Sequence, residues 1–530
     1  MQIKHLHVSE NKCLVDFDIQ IEIKQKKDSL TEEEQGNSTI LIGENGTGKS
    51  TMLKTILEIL MSFESGVIEK NISYDYEIEY FYKGSNIIVH KKSKSYSIKI
   101  DNGSTYSGTM NTINANLKNA GKKILPERIS YFYSGANDQA RDVFKQINSK
   151  YKKDCIEQIV RYWNTILRDE RKLEHYYGEF PKRKFNYCDE SLVPAYLIAI
   201  LCSDDYEKEK NRLKNLCYFS EIEYIFIDID INDTLLKKLP NILEIGVINL
   251  ISFIDNKFTK CFQQSFLFQR GTHFYFELHK DDLVKIDDKN GISFFNFFEK
   301  LITLLNAKVT PYVSTNVSCK YLSEGQRQLI KILGMLGVCK NEDCLVLMDE
   351  PDAHMNPKWK YELKGVIDDC LKGAVNTQAI IATHDPLVIN GVNKDFIKIF
   401  TLNNDEAKVV EPSENTEGLG IDGLLQSEYY GLPSVLDNKT KEKMQEKQNL
   451  LIKKVDGTIT EQEKQKLIEL SEKLEDMMFA RNIPTDNYYD EYVAAIHKIY
   501  KQYSDVTLTA KEISERNKKA EKILQELLSK

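Results

Sequence analysis

No run of 18 apolar residues occurs in this chain, so nothing in it is long enough to cross a membrane as a helix. The first residues, Met1-Gln2-Ile3-Lys4-His5-Leu6-His7-Val8, alternate as a strand does and lack the apolar centre of a signal peptide. No membrane part is expected, and a cytoplasmic location is. Positive charge is not in excess either: 72 Lys and Arg against 80 Asp and Glu leave a net charge of −8. That balance excludes coating a nucleic acid by bulk charge and leaves only local basic patches. Lys182-Arg183-Lys184 is one short cluster, read here as a solvated loop. The ten cysteines are scattered with no C-x-x-C pair, so no disulfide framework is expected. What remains is an ordinary globular composition, 41% hydrophobic and 29% charged, over 530 residues. That length exceeds one domain's usual size.

Against this background one stretch stands out, Gly43-Glu44-Asn45-Gly46-Thr47-Gly48-Lys49-Ser50. It is a complete phosphate-binding loop. Ser38-Thr39-Ile40-Leu41-Ile42 before it reads as a buried strand, and Thr51 to Phe63 after it carries Leu53, Ile56, Ile59 and Leu60 at helical spacing. Strand, glycine-rich turn and helix is the context this motif requires. Backbone N–H groups of Asn45 to Thr51 would cradle phosphates at a helix N-terminus. Lys49 would reach the β- and γ-phosphates, and Ser50 would ligate Mg²⁺.

Three later segments decide the kind of phosphate-loop protein. Tyr321-Leu322-Ser323-Glu324-Gly325-Gln326-Arg327-Gln328 precedes a helical pattern. Cys344-Leu345-Val346-Leu347-Met348-Asp349-Glu350-Pro351 is an apolar strand ending in two carboxylates. Ala379-Ile380-Ile381-Ala382-Thr383-His384-Asp385 is another buried strand, ending in a histidine. Here the chain resembles the ATP-binding-cassette (ABC) ATPases, in their soluble branch with the DNA-repair and structural-maintenance ATPases. Leu322 to Gln326 is similar to their signature motif, with Glu324 where transporters have glycine. Asp349-Glu350 is similar to the Walker B pair, and His384 to the switch histidine. The missing C-x-x-C sets the chain apart from the zinc-hook subfamily.

The resemblance implies ATP and Mg²⁺ as cofactors. Mg²⁺ would be held by Ser50 and, through water, by Asp349. Glu350 would polarise the attacking water. His384 would contact the γ-phosphate. Ser323, Gly325 and Gln326 open a helix and would form an anion site. In the superfamily that site closes on ATP held by the other protomer, which implies a homodimer for hydrolysis, with higher oligomers left open.

The fold expected is α/β: an ABC-type ATPase head of mixed sheet with an antiparallel β subdomain, an inserted α+β arm and a C-terminal helical region. Residues 1–145 form the first lobe, with Ile3–Val8, Leu14–Ile21, Tyr74–Tyr82, Asn86–His90 and Ser95–Ile100 as strands and Thr31–Asn37 as a polar turn. Gln139 is the nearest candidate for the glutamine loop. Residues 146–315 are surplus to a minimal cassette and read as an inserted domain. There Asp228 and Asp230 share one strand face, either a metal site or a solvated face. Phe294, Phe295, Phe297 and Phe298 read as core rather than a base-stacking platform. Residues 316–436 return to the ATPase. His354 is a sensor or a structural hydrogen-bonder, and Asn356 stands where related ATPases carry a second histidine. Residues 437–530 are helical. Val455-Asp456-Gly457 breaks the first stretch into a helical hairpin. Leu467, Leu470, Leu474 and Met477 form one stripe, and Ala520, Leu524 and Leu527 or Leu528 another. The stripes need burial, on the chain's own core or on a partner.

Gly418 to Leu432, with Tyr131–Gly135 and His354, narrows the resemblance to the PtuA-type ATPases of Septu antiphage systems, with similar ATPases in retron defence systems. That resemblance implies a separately encoded HNH nuclease of the PtuB type. DNA would be met through the complex, and a retron setting would add a reverse transcriptase and msDNA. A fused Toprim nuclease is not expected, because Pro412 to Thr416 is polar and no D-x-D strand follows it. The rival reading is a stand-alone DNA-repair or recombination ATPase acting on DNA directly.

Overall fold

The computed structural model describes residues 1–21, 38–64, 72–101, 103–135, 140–168, 180–218, 221–284, 286, 290–313, 317–340, 343–372, 377–432, 435–455 and 457–478. Thr31–Asn37, Gln139 and the Ala520–Leu528 stripe lie outside them, as does the side chain of Met477. The chain divides into two compact units, Met1–Gly431 and Leu432–Lys530.

Eighteen strands are described. In chain order they are β1 (Gln2–Asn11), β2 (Leu14–Gln20), β3 (Ser38–Gly43), β4 (Tyr76–Tyr82), β5 (Ser85–Lys92), β6 (Ser95–Ile100), β7 (Thr105–Gly108), β8 (Arg128–Tyr133) and β9 (Phe185–Tyr187). There follow β10 (Ile222–Asp230), β11 (Phe266–Arg270), β12 (His273–His279), β13 (Lys308–Val313), β14 (Val317–Ser318), β15 (Cys344–Asp349), β16 (Gln378–Ala382), β17 (Ile397–Asn403) and β18 (Glu406–Val410). They form three sheets. One is antiparallel, β2-β1-β4-β5-β6-β7. Another runs β11-β12-β10-β13-β14. The largest runs β18-β17-β3-β16-β15-β8-β9 and is parallel from β17 to β9, with β18 antiparallel at one edge. This is the mixed sheet with an antiparallel subdomain of an ABC-type head.

Alternation of side chains explains how the large sheet is buried on both faces. Ile40, Ile42, Val346, Met348, Ala379 and Ile381 point into one core. Leu41, Leu345, Leu347, Ile380 and Ala382 point into the other. The second core is closed by the helix Lys49–Ser62 and the antiparallel sheet. The first is closed by the helix Glu324–Cys339, buried around almost its whole circumference, and by residues of 146–315. Phe294, Phe295, Phe297 and Phe298 lie in that same core, each about 1% exposed or less. The surplus segment therefore shares one continuous hydrophobic core with the helix that follows the signature motif.

The basic cluster is a loop as expected, with Lys182 exposed, but it is solvated only in part. Arg183 is nearly buried and pairs with Glu299, Lys184 pairs with Glu64, and Lys182 lies 3.6 Å from Glu127. Each cation already has a carboxylate, because the segment runs into β9 beside the core. Asp228 and Asp230 do share a half-exposed face, where His273 Nδ1 lies 2.7 Å from Asp228 Oδ1 and His273 Nε2 3.6 Å from Asp230 Oδ1. Among the described residues no group of three or more His, Cys, Asp or Glu could hold a metal ion. No helix of the described residues is long and apolar enough to cross a membrane.

The second unit contains a helical hairpin, Asn438–Val455 and Glu461–Met478. Leu450, Leu451, Leu467 and Leu470 form its small core.

Candidate active site

The phosphate loop leaves the C-terminal end of β3 and enters the helix Lys49–Ser62. Gly48 caps that helix from the left-handed region, with φ 100°. A Cβ there would lie 3.1 Å from Cys13 Sγ and from Ala407 Cβ, so backbone and packing both call for glycine. Lys49 Nζ donates to the carbonyls of Gly43 at 2.7 Å and Glu44 at 2.8 Å, and reaches Thr47 Oγ1 at 3.4 Å. Burial lowers the pKa of its ammonium, while the carboxylates of Asp349, Glu350 and Glu44 oppose that fall.

Strand register supplies the rest. Asp349 of β15 is level with Ala382 of β16, and Ala382 is level with Leu41 of β3. The ends of these three parallel strands thus converge beside the phosphate loop, where α/β sheets hold ligands. Ser50 Oγ donates to Asp349 Oδ1 at 2.9 Å, across 299 positions of sequence. Glu350 leaves the strand with φ 51°, and its N–H donates to the Ala382 carbonyl at 2.9 Å. His384 Nδ1 lies 3.3 Å from Glu350 Oε1, with side chains 51% and 33% exposed. Ser50 and Asp349 are hard oxygen donors side by side, a set that fits Mg²⁺. Glu350 can accept a proton from a water there, and His384 can donate to an anion.

The signature residues form a second, separate group. Ser323 caps the helix Glu324–Cys339 in a capping box: Gln326 N–H donates to Ser323 Oγ at 3.3 Å, and Ser323 N–H donates to Gln326 Oε1 at 2.9 Å. A Cβ on Gly325 would lie 3.0 Å from the His354 carbonyl, so the loop after Walker B packs directly on the signature. Asn356 caps the helix Pro357–Leu371 by accepting from Trp359 N–H at 2.9 Å. That gives the residue at the second-histidine position a local structural task. Among the described residues, no hydrogen bond joins Ser323, Gly325 or Gln326 to the phosphate loop. The structure brings Asn45 to Thr51, Asp349, Glu350 and His384 together and leaves the signature group apart.

Sequence reasoning missed the layer beneath. Thr383 Oγ1 donates to buried Asp352 at 2.8 Å, Asp385 N–H donates to Thr383 Oγ1 at 3.0 Å, and Lys360 pairs with Asp385 at 2.7 Å. These bonds clamp the residues flanking His384 to the loop after Glu350. Thr383 and Asp385 adjoin His384 in sequence, but no spacing rule reveals their partners. Gln328 Nε2 also donates to Ser134 Oγ at 2.6 Å, tying the signature helix to the loop after β8.

Residues 27–178 match the family described as ABC transporter. Residues 265–390 match that described as AAA domain, putative AbiEii toxin, Type IV TA system. The fold is that of an ABC-type ATPase head, and the chain is an ATPase. It is similar to the retron Vc95 probable ATPase of Vibrio cholerae serotype O1 biovar El Tor, at 24% identity over 410 residues, 72% of each chain. It also matches Septu protein PtuA of Bacillus mycoides (strain KBAB4), at 29% identity over 119 residues, 21% of this chain and 16% of that one. Among solved structures, the SMC head domain from Thermotoga maritima aligns with a TM-score of 0.32 at 10% identity, over 78% of this chain and 100% of that one. The SmcHead bound to the C-winged helix domain of ScpA aligns at 0.33 and 12%, over 77% and 98%.

Proposed function

We propose that this chain is the Mg²⁺-dependent, slowly hydrolysing ATPase subunit of an antiphage defence complex, in which nucleotide state controls a separately encoded HNH nuclease. The observation that carries the ATPase part is the Ser50–Asp349 hydrogen bond beside the Glu350–His384 pair. Lys49 and the loop N–H groups bind and orient the phosphates. Ser50 and Asp349 hold Mg²⁺, which when bound neutralises charge on the transferred phosphoryl group. Glu350 takes the water proton at its carboxylate, and His384 donates to the γ-phosphate region.

The signature group stands apart from the phosphate loop, with backbone donors and the Ser323 hydroxyl at a helix N-terminus. It serves the ATP bound by a second copy, so hydrolysis requires a homodimer. The defence part rests on similarity to a retron ATPase and to a Septu protein. Reverse transcriptase and msDNA join the assembly in a retron setting. The test is purification of the tagged chain from its native locus, followed by DNA cleavage assays with and without ATP. A co-purifying HNH protein with ATP-dependent cutting is the expected result. Recovery of the ATPase alone, with hydrolysis stimulated by DNA, would replace this reading with a stand-alone repair-type ATPase.

A further inference from the structure

The signature helix is entered through a 3₁₀ turn, Cys319–Tyr321. Lys320 N–H donates to Ser318 Oγ at 3.3 Å, Leu322 N–H to the Cys319 carbonyl at 3.4 Å, and Arg327 Nη2 to the Lys320 carbonyl at 2.7 Å. Cys319 and Leu322 are buried in the main core and anchor the turn from below. Tyr321 between them is 84% exposed. A lone exposed aromatic is ordinary on a protein surface. This one is displayed on a fixed backbone, two residues before Ser323, which caps the signature helix.

The surroundings of the phosphate loop have a matching lack. The side chains nearest a Cβ on Gly48 belong to Cys13, Leu14 and Ala407, so the loop is flanked by the β1–β2 turn and the start of β18. Residues 10–16, 43–50 and 402–408 contain no Phe, Tyr or Trp. Phe400 approaches Gly43, but it is 1% exposed and its ring packs on Phe17 at 5.8 Å. A purine bound beside the loop finds no open aromatic face in these flanks, although stacking on one is a main source of affinity for a flat base.

We propose that Tyr321 binds nucleotide in trans: its ring stacks on the adenine of ATP held at the phosphate loop of a second copy, while Ser323 meets the phosphates. Two residues span at most about 7 Å, less than the length of a nucleoside triphosphate, so one bound molecule can reach both. The inference deepens the shared-site reading above and rests on it. It adds selection of the base, which the phosphate-binding residues do not supply.

The test uses the full chain carrying Glu350→Gln, with and without Tyr321→Ala, and reads mass by light scattering over a series of chain concentrations. Mg-ATP and Mg-UTP are compared. The parent should dimerise at a lower concentration with ATP than with UTP, because a purine offers the larger stacking face. Tyr321→Ala should raise the concentration for half-dimerisation with ATP by about 10- to 100-fold, since two such contacts are lost per dimer, and should erase the preference for ATP. Tyr321→Phe keeps the ring and should stay within about threefold of the parent. The side chain is exposed, so the melting temperature of Tyr321→Ala should not change. Dimerisation of Tyr321→Ala at the parent's concentration would overturn the proposal. So would a loss that is equal with ATP and UTP, which would make the ring a protein–protein contact. A Glu350→Gln chain that stays single with both nucleotides would refute the shared-site reading itself, and this inference with it.

Discussion

Glu350 occupies a left-handed backbone, φ 51°, that costs a non-glycine residue roughly 1–2 kcal/mol. The bond from its N–H to the Ala382 carbonyl offsets part of that cost, and the geometry turns its carboxylate toward His384. Strain of this kind persists where surroundings over-determine it, and it concentrates at functional sites. Glu350→Gln keeps shape and backbone while removing the base. ATP turnover should fall by about 10²-fold or more with nucleotide binding retained, as measured by hydrolysis assay and a fluorescent ATP analogue. Unchanged turnover would mean that another group polarises the water. At this scale the sequence was most legible where chemistry is contiguous. Gly43 to Ser50 announces its own turn, and Asp349-Glu350 its strand end. Asp352 and Thr383 were silent, because each has its meaning in a partner 31 positions away.

The signature helix shows what element packing demands. Gln328 to Cys339 is buried on every side, so the helix has little polar face and its neighbours must come close. At Gly334 the helix Val193–Cys202 approaches so tightly that a Cβ would sit 2.5 Å from Tyr196 Cβ. Gly334→Ala should therefore destabilise the fold by about 1–3 kcal/mol despite alanine's better helix propensity, read as a lower denaturation midpoint. A stabilised variant would show that the two helices can part at little cost. Strand positions were readable within a few residues, as with β6, because alternation is a local signal. The three-residue β9 was not, since Phe185–Tyr187 is a strand only through its pairing with β8. Nor could spacing reveal that residues 146–315 share the signature helix's core. Hydrophobic periodicity says that a face is buried but not against what.

At the scale of the whole molecule, the proposed function takes two copies of the chain for one complete reaction centre. Glu350→Gln with Mg-ATP should shift the mass in solution from one chain, 61.4 kDa, to about twice that value, by light scattering behind size exclusion. A mass indifferent to ATP would remove the shared-site reading. The same architecture has a bearing on how the protein is made. β3, which carries the phosphate loop, lies between β16 and β17, and Ile3 N–H in β1 bonds to the side chain of Gln378 at 2.7 Å. The earliest strands are thus completed only by some of the last. A ribosome adding about 5–20 residues per second needs on the order of 20–70 s to go from Gly43 to β17. Through that interval the nascent N-terminus holds a nucleotide motif with neither flanking strand in place. A chain cut short before β16 therefore carries the phosphate loop on a strand that has neither of its two neighbours in the sheet.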